Sequence, residues 1–519
     1  MKKIFLLCVF LLFFSSINCL AAIAKFDYDY STENYNFNLP KSYSANINGF
    51  VTPVKIQGHS GPCWCFGIIS ALESNYLRQN NLKQNNLDFS EMNLIYNLND
   101  GASTNNPYAF DFNVSGNNEM ATAYFASGRG PVFEKNDPYK SDYTPRAQIE
   151  NLKKPLAKYI RRIIYVPDVN QSDTVSLKNH RELVKKFVFE NGSVATNIFW
   201  NENYLDKSGK NYYYNSYASA TNHTAAIIGW DDNYSRENFE IKPEHDGAFI
   251  LKNSWGADKH DNGFFFMSYD DKFAGFNAYF MSEIVEPLEK YKFENIYQHD
   301  YFGMTSAFRE ELLGDKKYIC SVFDLKNDKE ALSDIGVFIA SNNVNCKFLL
   351  LKVNDDGEIV GYSNFLYEEN FEFPGYYVVS LPKKILLSDK KFGIGVKMTG
   401  PDLFIPCEKK EYNFCSKAVA QPNQNFYGNE YGFESFNAYD ITNFCIKGFT
   451  EKNLDSAQNI SYKKFLSRPI QNTNYIAPTQ NINYEVTEKK FANFDGFIII
   501  IIFLPLAAVL ISYLLSKKF

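Results

Sequence analysis

Two cysteines separated by one tryptophan stand in the stretch "GHSGPCWCFG", residues 58–67. Such a pair is open to three chemistries: a metal hook, a redox pair, or one nucleophile beside an inert neighbour. A nucleophilic cysteine works as its thiolate, which a helix N-terminus or an adjacent imidazole favours. After Pro62 the apolar residues Phe66, Ile69, Leu72 and Tyr76 recur at three- and four-residue steps, the spacing of one helix face. Proline is accommodated just before or within a first helical turn, where its missing N–H is no loss. Cys63 therefore falls at the helix start, where the dipole favours an anion. Cys65 falls two residues further on and faces elsewhere; its expected place is that of a small buried hydrophobe.

A base must come from another part of the chain. His59, His180, His245, His260 and His299 lie in polar settings where a solvated surface position is expected. His223 differs: it heads "NHTAAIIGW", an apolar strand. "GAFILKNSWG" comes next as a second apolar strand that ends in Asn253, Ser254, Trp255 and Gly256. Side by side, two such strands set Asn253 against His223. The amide oxygen then accepts the ring N–H and fixes the orientation of the ring. A metal site fits poorly, because CxC with one His lacks the usual CxxC spacing and a fourth ligand. The expectation is no metal and no cofactor.

In chain order, "VTPVKIQGHSGPCWCFG", "FSEMNL", "NHTAAIIGW", "ILKNSWG" and "NGFFFMSYDD" resemble segments of the papain-like cysteine peptidases. The resemblance implies an α+β fold: a two-lobed protease domain, helical lobe plus β-barrel lobe, over residues 39–285. It implies Cys63 as nucleophile, His223 as general base and acid, and Asn253 as the residue that orients it. It further implies Gln57 as side-chain donor of an oxyanion hole, and Trp255 as the indole that covers the Asn–His bond. Ser115, Gly116 and Asn117 resemble the glycine-rich strand that pairs with substrate backbone. The sequence departs from the pattern at Ser60, where a disulfide cysteine is usual, and at Pro62 and Cys65, where small residues are usual. The step from Cys63 to His223 also exceeds the roughly 130–150 residues of the family, which a surface insertion explains. None of these changes removes a catalytic group. The implied function is a cysteine endopeptidase that hydrolyses protein or peptide substrates through a thioacyl-enzyme. Two other functions fit the same fold: an inactive homologue acting as a surface binding or adhesion protein, and a transglutaminase-like acyl transferase.

The chain of 519 residues is long enough for about three domains. Its 45% hydrophobic and 17% aromatic content suits real cores. A net charge of -6 without a basic block points away from nucleic acid. Beyond the protease segment, Ile335, Val337 and Ile339 alternate, as do Phe392, Ile394, Val396 and Met398. That period of two predicts half-buried strands in an all-β sandwich, residues 290–451. "GYYVVSL", "FGIGVK" and "NFCIKGFT" there resemble the lectin-like β domain behind papain-like peptidases of some bacteria and archaea, which implies a carbohydrate ligand by name alone. Seven cysteines lie beyond residue 24, and sequence leaves open whether the five in the sandwich form two disulfides or none.

The two ends predict an extracytoplasmic, membrane-anchored protein. Lys2, Lys3, an apolar run and the small-x-small site Ala22–Ile23–Ala24 predict a signal peptide over 1–24. Residues 25–38 are too short for a helical inhibitory prosegment. Residues 452–495 are polar and predict a linker. The uncharged run Phe497–Leu515, with Lys517 and Lys518 just beyond it, predicts a single transmembrane helix over 496–516.

Overall fold

In the computed structural model, helix α1 (Cys63–Gln79) begins directly after Pro62, as the apolar spacing predicts. The structure describes residues 37–467, apart from 59–60, 84–85, 99–115, 141–153, 170–172, 288–292, 411–414, 416–417 and 437–440. The expected signal peptide, residues 25–36, Ser115 and the expected transmembrane segment lie outside the described residues. Among those described, no helix is long and apolar enough to cross a membrane.

Pro62 caps α1, and its carbonyl accepts from the N–H groups of Cys65 (2.9 Å) and Phe66 (3.3 Å). The helix is buried on its polar side as well, because strands cover it there. The amide of Asn75 donates to the carbonyls of Asn191 and Ser193 (both 2.8 Å) and accepts from the N–H of Met281 (2.8 Å). Helices α2 (Glu91–Leu98), α3 (Asn118–Ala126) and α4 (Thr174–Asn191) come next. The strands of this half are β1 (Ser42–Ser44), β2 (Tyr159–Tyr165), β3 (Val194–Ile198), β4 (Asn211–Tyr212), β5 (His223–Asp231), β6 (Ala248–Lys252), β7 (Phe264–Ser268) and β8 (Tyr279–Val285). They lie in the order β4-β7-β6-β5-β3-β8-β2, with β1 on β5.

The sheet does not stop at β2. Gly375, Tyr376 and Tyr377 pair antiparallel with Ile164, Ile163 and Arg162. The sheet then runs on through strands Gly375–Leu387, Glu330–Ile339, Ile446–Glu451 and Asn295–Tyr297, giving twelve strands among the described residues. Facing this extension is a second sheet built around Tyr318–Asp324, Lys391–Thr399 and Val344–Val353. Ile335, Val337 and Ile339 share one core with Phe348, Leu350, Ile394 and Val396, so the expected sandwich is present. The expectation of half-buried strands needs correction for Glu330–Ile339, which is buried at every position. Its second face carries Phe338, which joins Tyr376, Phe449, Ala121 and Tyr124 of α3 in another core. Burial on both faces follows from the N-terminal half packing on the sandwich.

Arg161 on β2 pins this seam. Its Nε lies 3.0 Å from Glu283 and its Nη1 2.9 Å from Asp334, while Nη2 donates to the Val378 carbonyl (3.1 Å) and Ser380 Oγ (2.9 Å). Part of the expected linker is also docked. Tyr462–Lys463 pairs with strand Ile359–Ser363, and Phe465 stacks 5.8 Å from Tyr362. The aromatic residues of 452–467 thus hold that stretch on the sandwich, and the linker expectation shrinks to 468–495, outside the described residues. All seven described cysteines are free thiols and buried.

Candidate active site

The ends of α1, β5 and β6 meet at one place. Gly67 lets α1 approach β5: a Cβ there would fall 2.6 Å from Thr224 Cγ2. The first turn of α1 thereby lies against the start of β5, and the Thr224 backbone N–H faces the Cys63 sulfur. β5 and β6 are antiparallel neighbours, with Ala226 opposite Lys252, so Asn253 emerges beside His223. His223 Nε2 lies 2.9 Å from Asn253 Oδ1. The same oxygen accepts the Ser254 backbone N–H at 2.8 Å. A backbone N–H can only donate, so this end of the amide is the oxygen, and His223 Nε2 carries the hydrogen. His223 Nδ1 therefore keeps its lone pair.

Gln57 comes from the antiparallel pairing of Lys55–Gln57 with Ser254–Gly256. The Gln57 N–H donates to the Ser254 carbonyl (2.8 Å) and the Gly256 N–H to the Lys55 carbonyl (3.1 Å). Ser254 Oγ donates to Gln57 Oε1 at 2.7 Å, which turns the amide nitrogen to the opposite side. Trp255 lies 4.7 Å from the His223 ring, centroid to centroid. Trp200 stands edge-on to Trp255 at 4.8 Å and lies 6.1 Å from His223. Both ends of the exposed Asn222 amide are bonded to the Trp200 backbone, at 2.6 and 3.0 Å, which fixes Trp200 over the site.

Both side chains are buried, and burial is the largest influence on the titration of each. It pushes the Cys63 thiol up, against the N–H groups of Thr224, Trp64 and Cys63 itself. Burial likewise holds His223 down at about 4, with the Asn253 bond acting in the opposite direction. The helix start predicts a thiolate. Desolvation acts against that charge at Cys63 and against protonation at His223. Cys65 is fully buried in the helical core, as expected of a bystander.

Beneath these residues lies a charged cluster that sequence reasoning missed. Lys55 Nζ lies 2.9 Å from Glu73, 2.8 Å from Glu91 and 2.7 Å from Asp88. Lys252, next to Asn253, donates to Thr52 Oγ1 at 3.0 Å, and Thr52 donates to Glu73 at 2.5 Å. Burial raises Glu91 to about 8 and lowers Lys252 to about 8.

The glycine-rich segment is placed in part. Gly116 lies against the Trp64 indole, where a Cβ would fall 2.3 Å from the ring. Asn117 caps α3, accepting the Met120 N–H at 2.9 Å, a structural role for its side chain. The histidines expected at the surface need correction. His180 is buried between the carbonyls of Pro167 (2.9 Å) and Gly275 (3.0 Å). His299 Nε2 meets the Val322 carbonyl at 2.8 Å, and His260 contacts Asn253. His245 is exposed, and His59 lies outside the described residues. Among the described residues no group of three His, Cys, Asp or Glu side chains could hold a metal.

Residues 39–284 match the model of the papain family cysteine proteases, and residues 296–450 that of the lectin like domain. Similar curated proteins include cysteine proteinase 1 of Entamoeba histolytica, 25% identical over 46% of this chain and 67% of that protein. Thiol protease aleurain of Arabidopsis thaliana is 28% identical over 46% of this chain and 58% of that protein. The chain thus spans about three fifths to two thirds of the length of these relatives. Among solved structures, the clostridial cysteine protease Cwp84 after propeptide cleavage superposes with a TM-score of 0.69 at 25% identity, over 79% of this chain and 99% of that one. The protease and lectin-like domains of Cwp84, described as a surface layer associated protein of Clostridium difficile, share the fold at a TM-score of 0.69 and 24% identity, over 81% and 91% of the two chains.

Proposed function

Residues 39–284 belong to the papain family of cysteine proteases, and from that premise we propose that this chain is an extracytoplasmic cysteine endopeptidase working through Cys63, His223 and Asn253. One observation carries the reading: the 2.9 Å bond from His223 Nε2 to Asn253 Oδ1, which leaves His223 Nδ1 as the basic atom at the end of β5 where α1 brings Cys63. Substrate binding expels the remaining water, and the Cys63 proton passes to His223 Nδ1. The thiolate sulfur attacks the scissile carbonyl carbon, and negative charge develops on the carbonyl oxygen. The Cys63 backbone N–H and the Gln57 amide N–H hold that oxyanion; each such donor is worth about 10²–10³ in rate. Collapse breaks the C–N bond as His223 gives its proton to the leaving amine. Water, deprotonated by His223, then cleaves the thioester and restores the thiol. Gly116 is proposed to offer its backbone to the substrate, with Ser115 and Asn117 flanking it.

The reading is tested with the full chain and a peptide substrate. Cys63→Ala should abolish both hydrolysis and labelling by a thiol-directed epoxide; hydrolysis at the wild-type rate would refute the assignment. Domain limits of 39–285 and 290–451 are part of the proposal, as is tethering through residues 496–516. The surface layer association of Cwp84 supports a place outside the cell. Truncation after Glu488 should release active enzyme from membranes, and continued membrane association would exclude this anchor.

A further inference from the structure

Asn253 has two ends, and only one of them is used by the mechanism. Its Oδ1 serves His223 and the Ser254 N–H, so its Nδ2 is the donor end. Nδ2 lies 3.0 Å from His260 Nε2. His260 Nδ1 lies 2.8 Å from the Gly209 carbonyl oxygen. A carbonyl only accepts, so Nδ1 carries the His260 hydrogen and Nε2 is bare. Every donor and acceptor from Gly209 to His223 is thereby assigned without a remaining choice. We propose that His260 is a positioning residue for this site: its bare Nε2 accepts the Asn253 amide N–H and so keeps the amide oxygen on His223.

Two further observations favour that role. His260 has a φ of 54°, in the left-handed region, which costs a non-glycine residue and is found where surroundings enforce it. Its ring is also packed among the rings that roof the site, 5.4 Å from Trp200, 5.5 Å from Trp255 and 5.5 Å from Phe265. The inference rests on the peptidase reading and adds a pH dependence to it. A protonated His260 would point an N–H at the Asn253 N–H, two donors with no acceptor between them. Turning the amide over would set its N–H groups against the donors of Ser254 and His223. Burial holds His260 below its ordinary value; the Gly209 carbonyl opposes this, Lys259 adds to it and Glu202 opposes it. His223 faces it across Asn253, and Asp261 nearby is paired with Lys210 at 2.9 Å. The relay is therefore intact at neutral pH and is lost as pH falls below the ordinary histidine range.

The test uses the full chain and two variants. Asparagine tolerates the left-handed backbone but is too short to reach Asn253, whereas glutamine restores an acceptor. His260→Asn should lower kcat about 10-fold, as a small misplacement of a reacting group does, with KM and Tm unchanged. His260→Gln should recover most of kcat. The acid limb of kcat/KM should be steeper than one proton in wild type and one proton in His260→Gln. Wild-type kcat in His260→Asn, or an equal loss in both variants, would overturn the proposal. Nitrogen NMR of the histidine rings reads the tautomer independently of activity. Nδ1 protonated and Nε2 bare at neutral pH supports the relay, and the opposite tautomer sinks it, even in a chain where Cys63→Ala has shown the peptidase reading to be wrong.

Discussion

The relay around Asn253 and the seam around Arg161 are both buried hydrogen-bond networks, yet they are built on opposite plans. In the relay every member is neutral and each atom has a defined direction: Gly209 carbonyl, His260, Asn253, His223. In the seam one guanidinium reaches Glu283, Asp334, Ser380 and the Val378 carbonyl together, and burial of its charge is outweighed by Asp334 and Glu283, which raise its pKa above the ordinary value. A single-file neutral chain fixes orientation but adds little cohesion. A many-fingered ion cluster adds cohesion and tolerates small shifts. The first kind of network suits a reacting group, and the second suits a joint.

Variants should separate the two. Asn253→Ala should lower kcat by about 10²-fold with little change in Tm, less than the roughly 10⁴ known where a carboxylate orients the imidazole, because an amide stabilises an imidazolium less. Steady-state kinetics beside a thermal melt would show it. Arg161→Met should do the reverse: a loss of about 3–5 kcal/mol in denaturant unfolding, from the Asp334 charge left buried, with kcat per folded molecule retained. A kcat loss as large as that of Asn253→Ala would mean that the joint also orients the site. Lowering pH should separate them again. His223, held at about 4 by burial, takes up a proton at Nδ1 as pH falls through that value, so hydrolysis fails there, while Arg161 keeps its charge. A pH–rate profile with far-ultraviolet circular dichroism at each pH would test this. The smallest effect is expected for Cys65→Ala, about 1 kcal/mol of stability with full epoxide labelling of Cys63.

Sequence range decides which of these residues can be found without coordinates. Cys63, His223 and Asn253 sit at the ends of elements with clear local periods, so their positions are legible, and so is the Ile335–Val337–Ile339 face of the sandwich. His260 is not, because "ADKHDNG" has the composition of an exposed turn, and its partners are a carbonyl at Gly209 and an amide across the loop. Trp200 is hidden similarly, being placed by Asn222 rather than by its own neighbours. Arg161 in "YIRRIIY" looks like a polar interruption; it takes Asp334, far along the chain, to make it an interior residue.

The uninterrupted sheet has a consequence for anyone who would cut the molecule between its halves. Removing everything after residue 290 would leave β2 with Ile163 and Ile164 on a bare rim, its backbone groups facing Gly375–Tyr377 suddenly unmatched. An open apolar rim of that kind recruits other strands, including those of sister molecules. The trimmed catalytic half should therefore come out of cells as aggregate rather than as a smaller enzyme, and a useful cut would have to cap that rim first.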